Sequence, residues 1–179
     1  MQYAFLDKSS PLFVDDGPSI VENIEKILQF FRSKDFPRIF IKRVHRLNGV
    51  DIERERIDLL KENNLLVEGS KSIEIIEELK PLSNEIVVIK KRYSSFFHTE
   101  LDLILRRMNV RTLILTGVQT PNCIRATAID AISLDYECIV VEDGTASKSS
   151  EIQRANLTDM GSMGIRITDT NNLISLLSE

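Results

Sequence analysis

The stretch RTLILTGVQTPNCIRATAIDA (residues 111–131) contains three local signals in succession. Residues 111–116 are apolar at successive positions and rich in β-branched side chains, which is typical of a parallel strand covered on both faces. Residues 117–119 form a turn, Thr120 is a good N-cap, and Pro121 suits the first position of a helix because it has no N–H to leave unpaired. The stretch therefore predicts a strand, a turn and a helix that runs from Pro121 to about Leu134.

The same alternation of strand and helix extends along the rest of the chain. Further strands are predicted at residues 38–43, 85–90, 137–143 and, more weakly, 165–168. Amphipathic helices are predicted at residues 20–31, 101–108, 151–160 and 171–177. Ser19 and Glu22 match a capping box for the first of these helices, and Thr99 matches a cap for the second. This order predicts a doubly wound α/β sandwich with a parallel sheet.

Ligands in such sheets bind beyond the C-terminal ends of the strands. Lys90, Thr116 and Asp143 each end a predicted strand, so the functional site is expected near these residues. The segment 45–69 is polar and charge-rich, and it is long for a connection between strands. It is interpreted either as an ordinary surface excursion or as a lid or oligomer contact.

Length and composition exclude several classes of protein. The 179 residues fit one domain, residues 1–179, and the chain is 42% hydrophobic and 28% charged with a net charge of -4. Acidic and basic residues are interleaved, so neither nucleic acid nor an anionic membrane is expected as a partner. There is no signal-peptide pattern, and the two cysteines make a poor disulfide framework, which predicts a reducing, cytoplasmic setting.

Cys123 falls at the third position of the predicted helix that follows residues 111–116. The helix dipole favours a thiolate there, and the unpaired N–H groups of the first turn can bind a developing negative charge. This is the arrangement that acyl transfer requires, although a free cysteine is also commonly a buried small hydrophobe. Lys90 is either a cation for the thiolate or a solvated strand end, and Cys138 lies within a predicted strand and is expected to be inert.

Three stretches in order resemble the isochorismatase-like cysteine hydrolases: IKKRYSSFFHTELDLILRRMNV (residues 89–110), LILTGVQTPNCIRATAIDA (113–131) and CIVVEDGTAS (138–147). The opening MQYAFLDKSSPLFV (1–14) and LVEG (66–69) are also similar to this family, so the resemblance covers nearly the whole chain. It implies a three-layer, Rossmann-like sandwich, with a parallel sheet of about six strands flanked by helices.

The resemblance also implies an Asp-Lys-Cys triad, in which Cys123 is the nucleophile and Lys90 is the lysine. The peptide bond between Val118 and Gln119 matches one that is cis in the family, so that the N–H groups of Gln119 and Cys123 would form a two-donor oxyanion hole. Phe5, Tyr93 and Phe96 match the pocket wall, although as isolated aromatic residues they are equally consistent with plain core. The family further implies a small-molecule substrate and a homo-oligomer, either a dimer or a tetramer.

One departure from the family concerns the aspartate of the triad. In the family it directly precedes the Met-Gln pair at the end of the first strand, whereas here Met1 and Gln2 open the sequence. One interpretation places the strand and the aspartate upstream of Met1, with Met1 internal to a longer chain. The other makes Tyr3–Leu6 a short first strand and Asp7 its terminal carboxylate.

A second departure concerns metal. Nicotinamidases of the family hold a metal with Asp-x-His and a second histidine, but the matching stretch here is KRVHR (residues 42–46), without that aspartate. The other histidine of the chain is His98. No metal and no cofactor are therefore predicted, and His45 is expected at the polar surface or in the pocket lining.

The function predicted from the sequence is metal-free hydrolysis of a small amide or related C–N bond through a thioester, with an aspartate as the proton shuttle. One alternative is vinyl-ether hydrolysis of the isochorismate type, which needs the carboxylate but no thiol. The other is a non-catalytic binding protein of the same fold that lacks the acid–base group.

Overall fold

The computed structural model describes residues 1–178, so Glu179, the last residue of the predicted domain, lies outside the described residues. The strands are β1 (Ile39–Arg43), β2 (Ile86–Lys90), β3 (Thr112–Val118), β4 (Glu137–Ala146) and β5 (Arg166–Thr168). The helices are α1 (Tyr3–Leu6), α2 (Val21–Ser33), α3 (Ile57–Glu62), α4 (Leu101–Arg107), α5 (Arg125–Ser133), α6 (Ser150–Ser162) and α7 (Thr170–Ser178). None of the helices within residues 1–178 is long and apolar enough to cross a membrane.

Every strand pair is parallel. β1 pairs with β2, and β3, β4 and β5 pair in that order. Helices α2 and α7 cover one face, where Ile27 and Leu173 pack on Val141 of β4. Helices α4, α5 and α6 cover the other face, where Leu105 and Met160 join the largest apolar cluster. The predicted α/β class with parallel strands between helical layers is confirmed.

The strand count corrects the expectation of about six. Five strands lie within residues 1–178, and they form two sheets instead of one. Tyr3–Leu6 is a helical turn and not a first strand, because its backbone closes locally from the Asp7 N–H to the Tyr3 carbonyl at 2.9 Å. A cleft separates β1 from β3, and two cavities of about 270 and 800 Å³ lie along it. Ile39, Ile41 and Ile114 contribute to the walls of both.

A side-chain amide pairs the free edge of β1 at its C-terminal end. Gln2 Oε1 accepts from the Arg43 N–H at 2.8 Å, and Gln2 Nε2 donates to the Arg43 carbonyl at 2.9 Å. Gln2 Nε2 also donates to the Ile73 carbonyl at 3.0 Å. Gln2 is 3% exposed, so it supplies the donor and acceptor that a neighbouring strand would offer to this buried backbone.

The sequence predicts that strand β2 is buried on both faces, but the structure buries only one of them. Val88 and Lys90 are buried, whereas Val87 and Ile89 are 37% and 49% exposed. These two side chains alternate with the buried ones, so one face of this edge strand lacks a helical cover within residues 1–178.

Helix starts differ from the predicted caps in two of three cases. The Thr120 hydroxyl donates to the Ala146 carbonyl at 3.2 Å and does not cap, since β4 extends far enough to bind it. The Ser19 hydroxyl donates to the Asp16 carbonyl at 2.8 Å, so the capping box does not form. The Thr99 hydroxyl accepts from the Leu101 N–H at 3.2 Å, as expected of a cap for α4.

The segment 45–69 is packed against the rest of the chain. It contains a 3₁₀ turn (Arg54–Arg56) and α3, and its apolar residues form a buried cluster with Ala4 and Leu12. The buried members from the segment are Ile52, Leu60, Leu65, Leu66 and Val67. The interpretation as a simple surface excursion is therefore wrong, and its role in an oligomer stays a prediction.

Glu85 connects the start of β2 with α2 and with the residue before β1. Its carboxylate accepts from Arg32 Nη2 at 2.8 Å and from Arg38 Nε at 2.8 Å, and its side chain is 1% exposed. The hydrogen bond from Arg32 is the largest influence, and the pKa of Glu85 falls from 4.5 to about 2. The charged form of Glu85 is thus bound more tightly in the folded state than the neutral form.

We expect Glu85→Gln to lower the free energy of unfolding at pH 6 by about 3 kcal/mol, since one pKa unit corresponds to about 1.4 kcal/mol. The pKa is depressed in the folded state, so the stabilisation is complete above pH 4.5 and declines as the pH falls toward 2. Urea melts should therefore show the two proteins converging from pH 6 to pH 3. Glu22→Gln is the matched control, because Glu22 pairs with Lys26 at an exposed site. A difference that stays constant with pH would contradict the assignment.

Candidate active site

Lys90 is a buried cation at the C-terminal end of β2. It is 5% exposed, and its Nζ donates to the Tyr93 carbonyl at 2.5 Å. Burial lowers the pKa of Lys90, the adjacent Cys123 thiol acts in the opposite direction, and Arg43 lowers it further. The pair of Lys90 and Cys123 therefore compensates a charge that burial alone would disfavour.

Cys123 lies in a π-helical turn, Thr120–Ile124, which precedes α5. The prediction of an α-helix from Pro121 is wrong for this turn, because the Ile124 N–H reaches back to the Gln119 carbonyl at 3.2 Å. The Val118–Gln119 peptide bond is cis. The Gln119 N–H makes no backbone hydrogen bond within residues 1–178, and the Cys123 N–H lies in the turn that follows it.

The smaller cavity of the cleft joins the reactive residues. Cys123, Lys90, Phe5, Gln2 and Met1 all line it. The backbone nitrogen of Met1 is buried there, beside Lys90 and Cys123. No Asp or Glu from residues 1–178 lines this cavity. The cavity thus brings a thiol and a cation together, but none of its lining residues within 1–178 is a carboxylate.

The three aromatic residues predicted for the pocket wall have different positions. Phe5 lines the cavity with Cys123. Phe96 stacks on Tyr136, with ring centroids 5.8 Å apart, and belongs to the core. Tyr93 is 38% exposed and contributes to the site through its carbonyl, which holds Lys90.

Asp7 does not reach the reactive residues. Its side chain is exposed and accepts hydrogen bonds from the Ser9 hydroxyl at 2.7 Å and the Ser9 N–H at 2.9 Å, which lower its pKa. The alternative with Asp7 as the acid–base carboxylate is therefore wrong, because the turn after α1 directs this side chain to solvent.

Two other sequence candidates have structural roles. Asp143 lies within β4 and not at its end, since the strand continues to Ala146. Its carboxylate accepts from the Thr170 N–H and hydroxyl at 2.9 and 2.8 Å, which fixes the start of α7. Cys138 is 5% exposed, and burial raises its pKa to about 12, in accord with the expectation that it is inert. Thr116 lies within β3 and lines the cavity.

His45 is fully buried and lines neither of the two cavities, so the expectation of a surface or pocket-lining position is wrong. Its Nε2 accepts from Arg43 Nε at 3.1 Å, and its Nδ1 is 3.4 Å from Asp51 Oδ1. His98 is elsewhere, packed on Phe97. Within residues 1–178 there is no group of three histidine, cysteine or acidic side chains that could hold a metal ion, so these residues do not fit the metal site of nicotinamidases.

Arg43 is the site residue that the sequence analysis missed. It ends β1, lies opposite Lys90 in the parallel register and lines the cavity, although it is only 2% exposed. Its guanidinium binds Glu53 and lies 5.3 Å from the centroid of the Tyr93 ring. The sequence could have identified Arg43, because it stands at the C-terminal end of a predicted strand, and the same criterion selected Lys90.

Two curated relatives are similar in sequence. A protein of Arabidopsis thaliana named probable inactive nicotinamidase is 33% identical over 170 residues, which are 93% of this chain and 87% of that protein. The ureidoacrylate amidohydrolase RutB of Cronobacter turicensis is 40% identical over 101 residues, which are 56% of this chain and 43% of that enzyme.

Two solved structures share the fold closely. An isochorismatase family protein from Desulfovibrio vulgaris has a TM-score of 0.95 and 37% identity, covering 100% of this chain and 95% of its own. A cysteine hydrolase from Pseudomonas syringae has a TM-score of 0.92 and 29% identity, covering 98% of this chain and 87% of its own. Residues 1–172 match the isochorismatase domain. The chain therefore belongs to the isochorismatase family.

Proposed function

We propose that this protein hydrolyses a small amide or related C–N bond through a thioester formed on Cys123. The observation that carries the proposal is the position of the buried Lys90 beside the thiol of Cys123 in one cavity. A thiolate is the nucleophilic form of cysteine, and an adjacent cation compensates its negative charge.

The reaction begins when Cys123 Sγ attacks the carbonyl carbon and the carbonyl π electrons move to oxygen. The N–H groups of Gln119 and Cys123 are the donors proposed for this oxyanion. The C–N bond then breaks, a proton passes to the departing nitrogen, and an amine or ammonia leaves. Water attacks the thioester, which releases the acid and regenerates the thiol.

The names of the relatives support the C–N class of bond. One is named an amidohydrolase and the other a probable inactive nicotinamidase, so both names refer to amide-type substrates. Vinyl-ether hydrolysis is the weaker alternative, because it uses no thiol and leaves the pairing of Cys123 with Lys90 without a purpose.

The departing nitrogen requires an acid–base group that the cavity lining of residues 1–178 does not contain. The interpretation with an aspartate directly before Met1 stays a prediction, and two features support it. The Met1 nitrogen is buried beside Lys90 and Cys123. The cleft between β1 and β3 has apolar walls and exposes strand edges on both sides, so a strand joined to that nitrogen could pair with both.

A second candidate function is ligand binding without turnover. The lack of a carboxylate among the cavity-lining residues of 1–178 favours it, and so does the name of the Arabidopsis relative. The two functions differ in ammonia or amine release, which a screen of small amides, carbamoyl compounds and ureido acids would measure.

We expect limiting iodoacetamide near neutral pH to label Cys123 in preference to Cys138, which is buried and protonated. Lys90→Met should slow the labelling at least about tenfold, because it removes the cation that is hydrogen-bonded to the sulfur and that compensates the negative charge of the attacking thiolate. Lys91→Met is the matched control, since Lys91 binds the Val44 carbonyl and Asp51. Peptide mapping by mass spectrometry reads the adducts. Dominant labelling of Cys138, or equal effects of the two lysine variants, would refute the assignment.

Activity on an amide substrate should survive prolonged dialysis against EDTA. The physical reason is that the cavity places two cations, Arg43 and Lys90, beside Cys123, and cations repel a metal ion. His45 is already engaged, because its Nε2 accepts a hydrogen bond from Arg43. The measurement is the rate of ammonia release before and after dialysis. Loss of the rate on chelation and its return with Zn²⁺ would show that the His45 region was misinterpreted.

Fusing an apolar strand of about six residues that ends in Asp before Met1 should raise both stability and turnover. Strand pairing in the cleft buries its walls, and a positioned acid–base group contributes about 10²–10⁴-fold to the rate. The control is the same extension ending in Asn, which should raise the unfolding midpoint but not the rate. Equal rates for the two extensions would contradict the role of the carboxylate.

Asp7→Asn should leave the rate unchanged, because Asp7 is exposed and bound to Ser9.

A further inference from the structure

His45 is a fully buried titratable group that the proposed reaction does not use. It lies two residues after the end of β1, and its side chain is 0% exposed. Its backbone joins this point to the far end of the segment 45–69. The His45 N–H donates to the Leu66 carbonyl at 2.6 Å, and the His45 carbonyl accepts from the Glu68 N–H at 2.9 Å. The imidazole is therefore enclosed where the segment attaches to the strand.

The contact with Arg43 determines which nitrogen of the imidazole carries the proton. Arg43 Nε lies 3.1 Å from His45 Nε2, and a guanidinium has donors but no acceptor, so Nε2 is the unprotonated nitrogen. The single proton of the ring is then on Nδ1, which lies 3.4 Å from Asp51 Oδ1. A second proton can enter only at Nε2, where it would face the N–H of Arg43 at this short distance.

The charges around the imidazole also oppose a second proton. They come from β1, from the segment 45–69 and from the residues after β2: the cations Arg43, Arg46, Lys91 and Arg92, and the carboxylates Asp51 and Glu53. Both carboxylates already have a cation, because Asp51 lies 3.1 Å from Lys91 and Glu53 binds Arg43. Burial is the largest influence and the charge of Arg43 comes next, and together they lower the pKa of His45 from its ordinary value.

The closed arrangement of this cluster leaves polar atoms without partners. His45 Nδ1 and Glu53 Oε2 are enclosed and make no hydrogen bond within residues 1–178. Enclosed polar atoms of this kind cost free energy that contact with water would return. The ring of His45 has no exposed surface, so a protonated imidazole reaches water only when the segment 45–69 separates from the end of β1.

We propose that His45 is an acid-sensitive latch for the segment 45–69. Neutral His45 accepts from Arg43 and holds the segment closed on the end of β1. A proton on Nε2 breaks the Arg43 contact, and the segment opens to hydrate the new charge. Opening also frees Arg43, which lines the cavity that contains Cys123. The inference concerns conformation and does not depend on the proposed reaction.

The first test is an NMR titration of the native imidazole. His98→Gln leaves His45 as the one histidine of the chain, and His98 is exposed, so the signal is unambiguous. At pH 7.5 we expect nitrogen shifts that place the proton on Nδ1, and His45 should take up its second proton at a lower pH than in the same chain unfolded in urea. A proton on Nε2, or equal titration of the folded and unfolded chains, would overturn the proposal.

The second test compares the stabilities of two chains that differ at position 45. His45→Gln in the His98→Gln background keeps an acceptor for Arg43 but cannot titrate. Because the pKa of His45 is depressed in the folded state, its stabilisation is complete above about pH 6.5 and declines as the pH falls toward the folded value. The unfolding constant of the His45 chain, divided by that of the variant, should rise about threefold to tenfold from pH 7.5 to pH 5.5 in urea melts. A ratio that is constant with pH would refute the proposal.

Hydrogen exchange separates a latch from a merely structural histidine. With intrinsic rates corrected for, the protection of amides in the segment 45–69 should fall at pH 5.5 relative to pH 7.5. Helix α4 should keep its protection, because it packs in the largest apolar cluster. In His45→Gln the segment should be equally protected at both pH values. An unchanged segment in the wild type, or an equal loss in α4, would contradict the latch, and the NMR titration stays decisive if His45→Gln does not fold.

Discussion

A buried ammonium group is the constraint on which this site depends. Lys90 is 5% exposed, and a charge removed from water must be compensated by the protein. Its partners come from two directions, the Tyr93 carbonyl in the turn after β2 and the Cys123 thiol in the turn after β3. Because β2 and β3 belong to separate sheets within residues 1–178, this pairing links them across the cleft.

A second layer of charges surrounds that pairing and is balanced pair by pair. Arg43 binds Glu53, Lys91 binds Asp51, and the neutral His45 lies between Arg43 and Asp51. Breaking a buried pair leaves an uncompensated charge, so each member stabilises the position of the next. The segment 45–69 thus supports the cavity from behind through Asp51 and Glu53.

The sequence analysis was most accurate where the signal was local. Apolar runs located the five strands of residues 1–178 to within a few residues, because strands buried in a parallel sheet require apolar side chains at successive positions. Cys123 and Lys90 could be paired through a resemblance that covers nearly the whole chain. The same resemblance misled on the strand count and on Phe96, because it transfers positions from the family and does not show how this chain packs them. Here Tyr3–Leu6 forms a helical turn, and Phe96 stacks on Tyr136.

The amino-acid sequence by itself determined the alternation of strands and helices, the family and the choice of Cys123 as the candidate nucleophile. These depend on patterns within short windows and on side-chain chemistry at named positions. Only the tertiary structure decided that His45 is buried, that Asp7 faces solvent, and that Arg43 shares a cavity with Lys90. Each of these is a relation between residues distant in the chain, for instance Gln2 with Arg43, and burial and register are set by packing that no local pattern encodes.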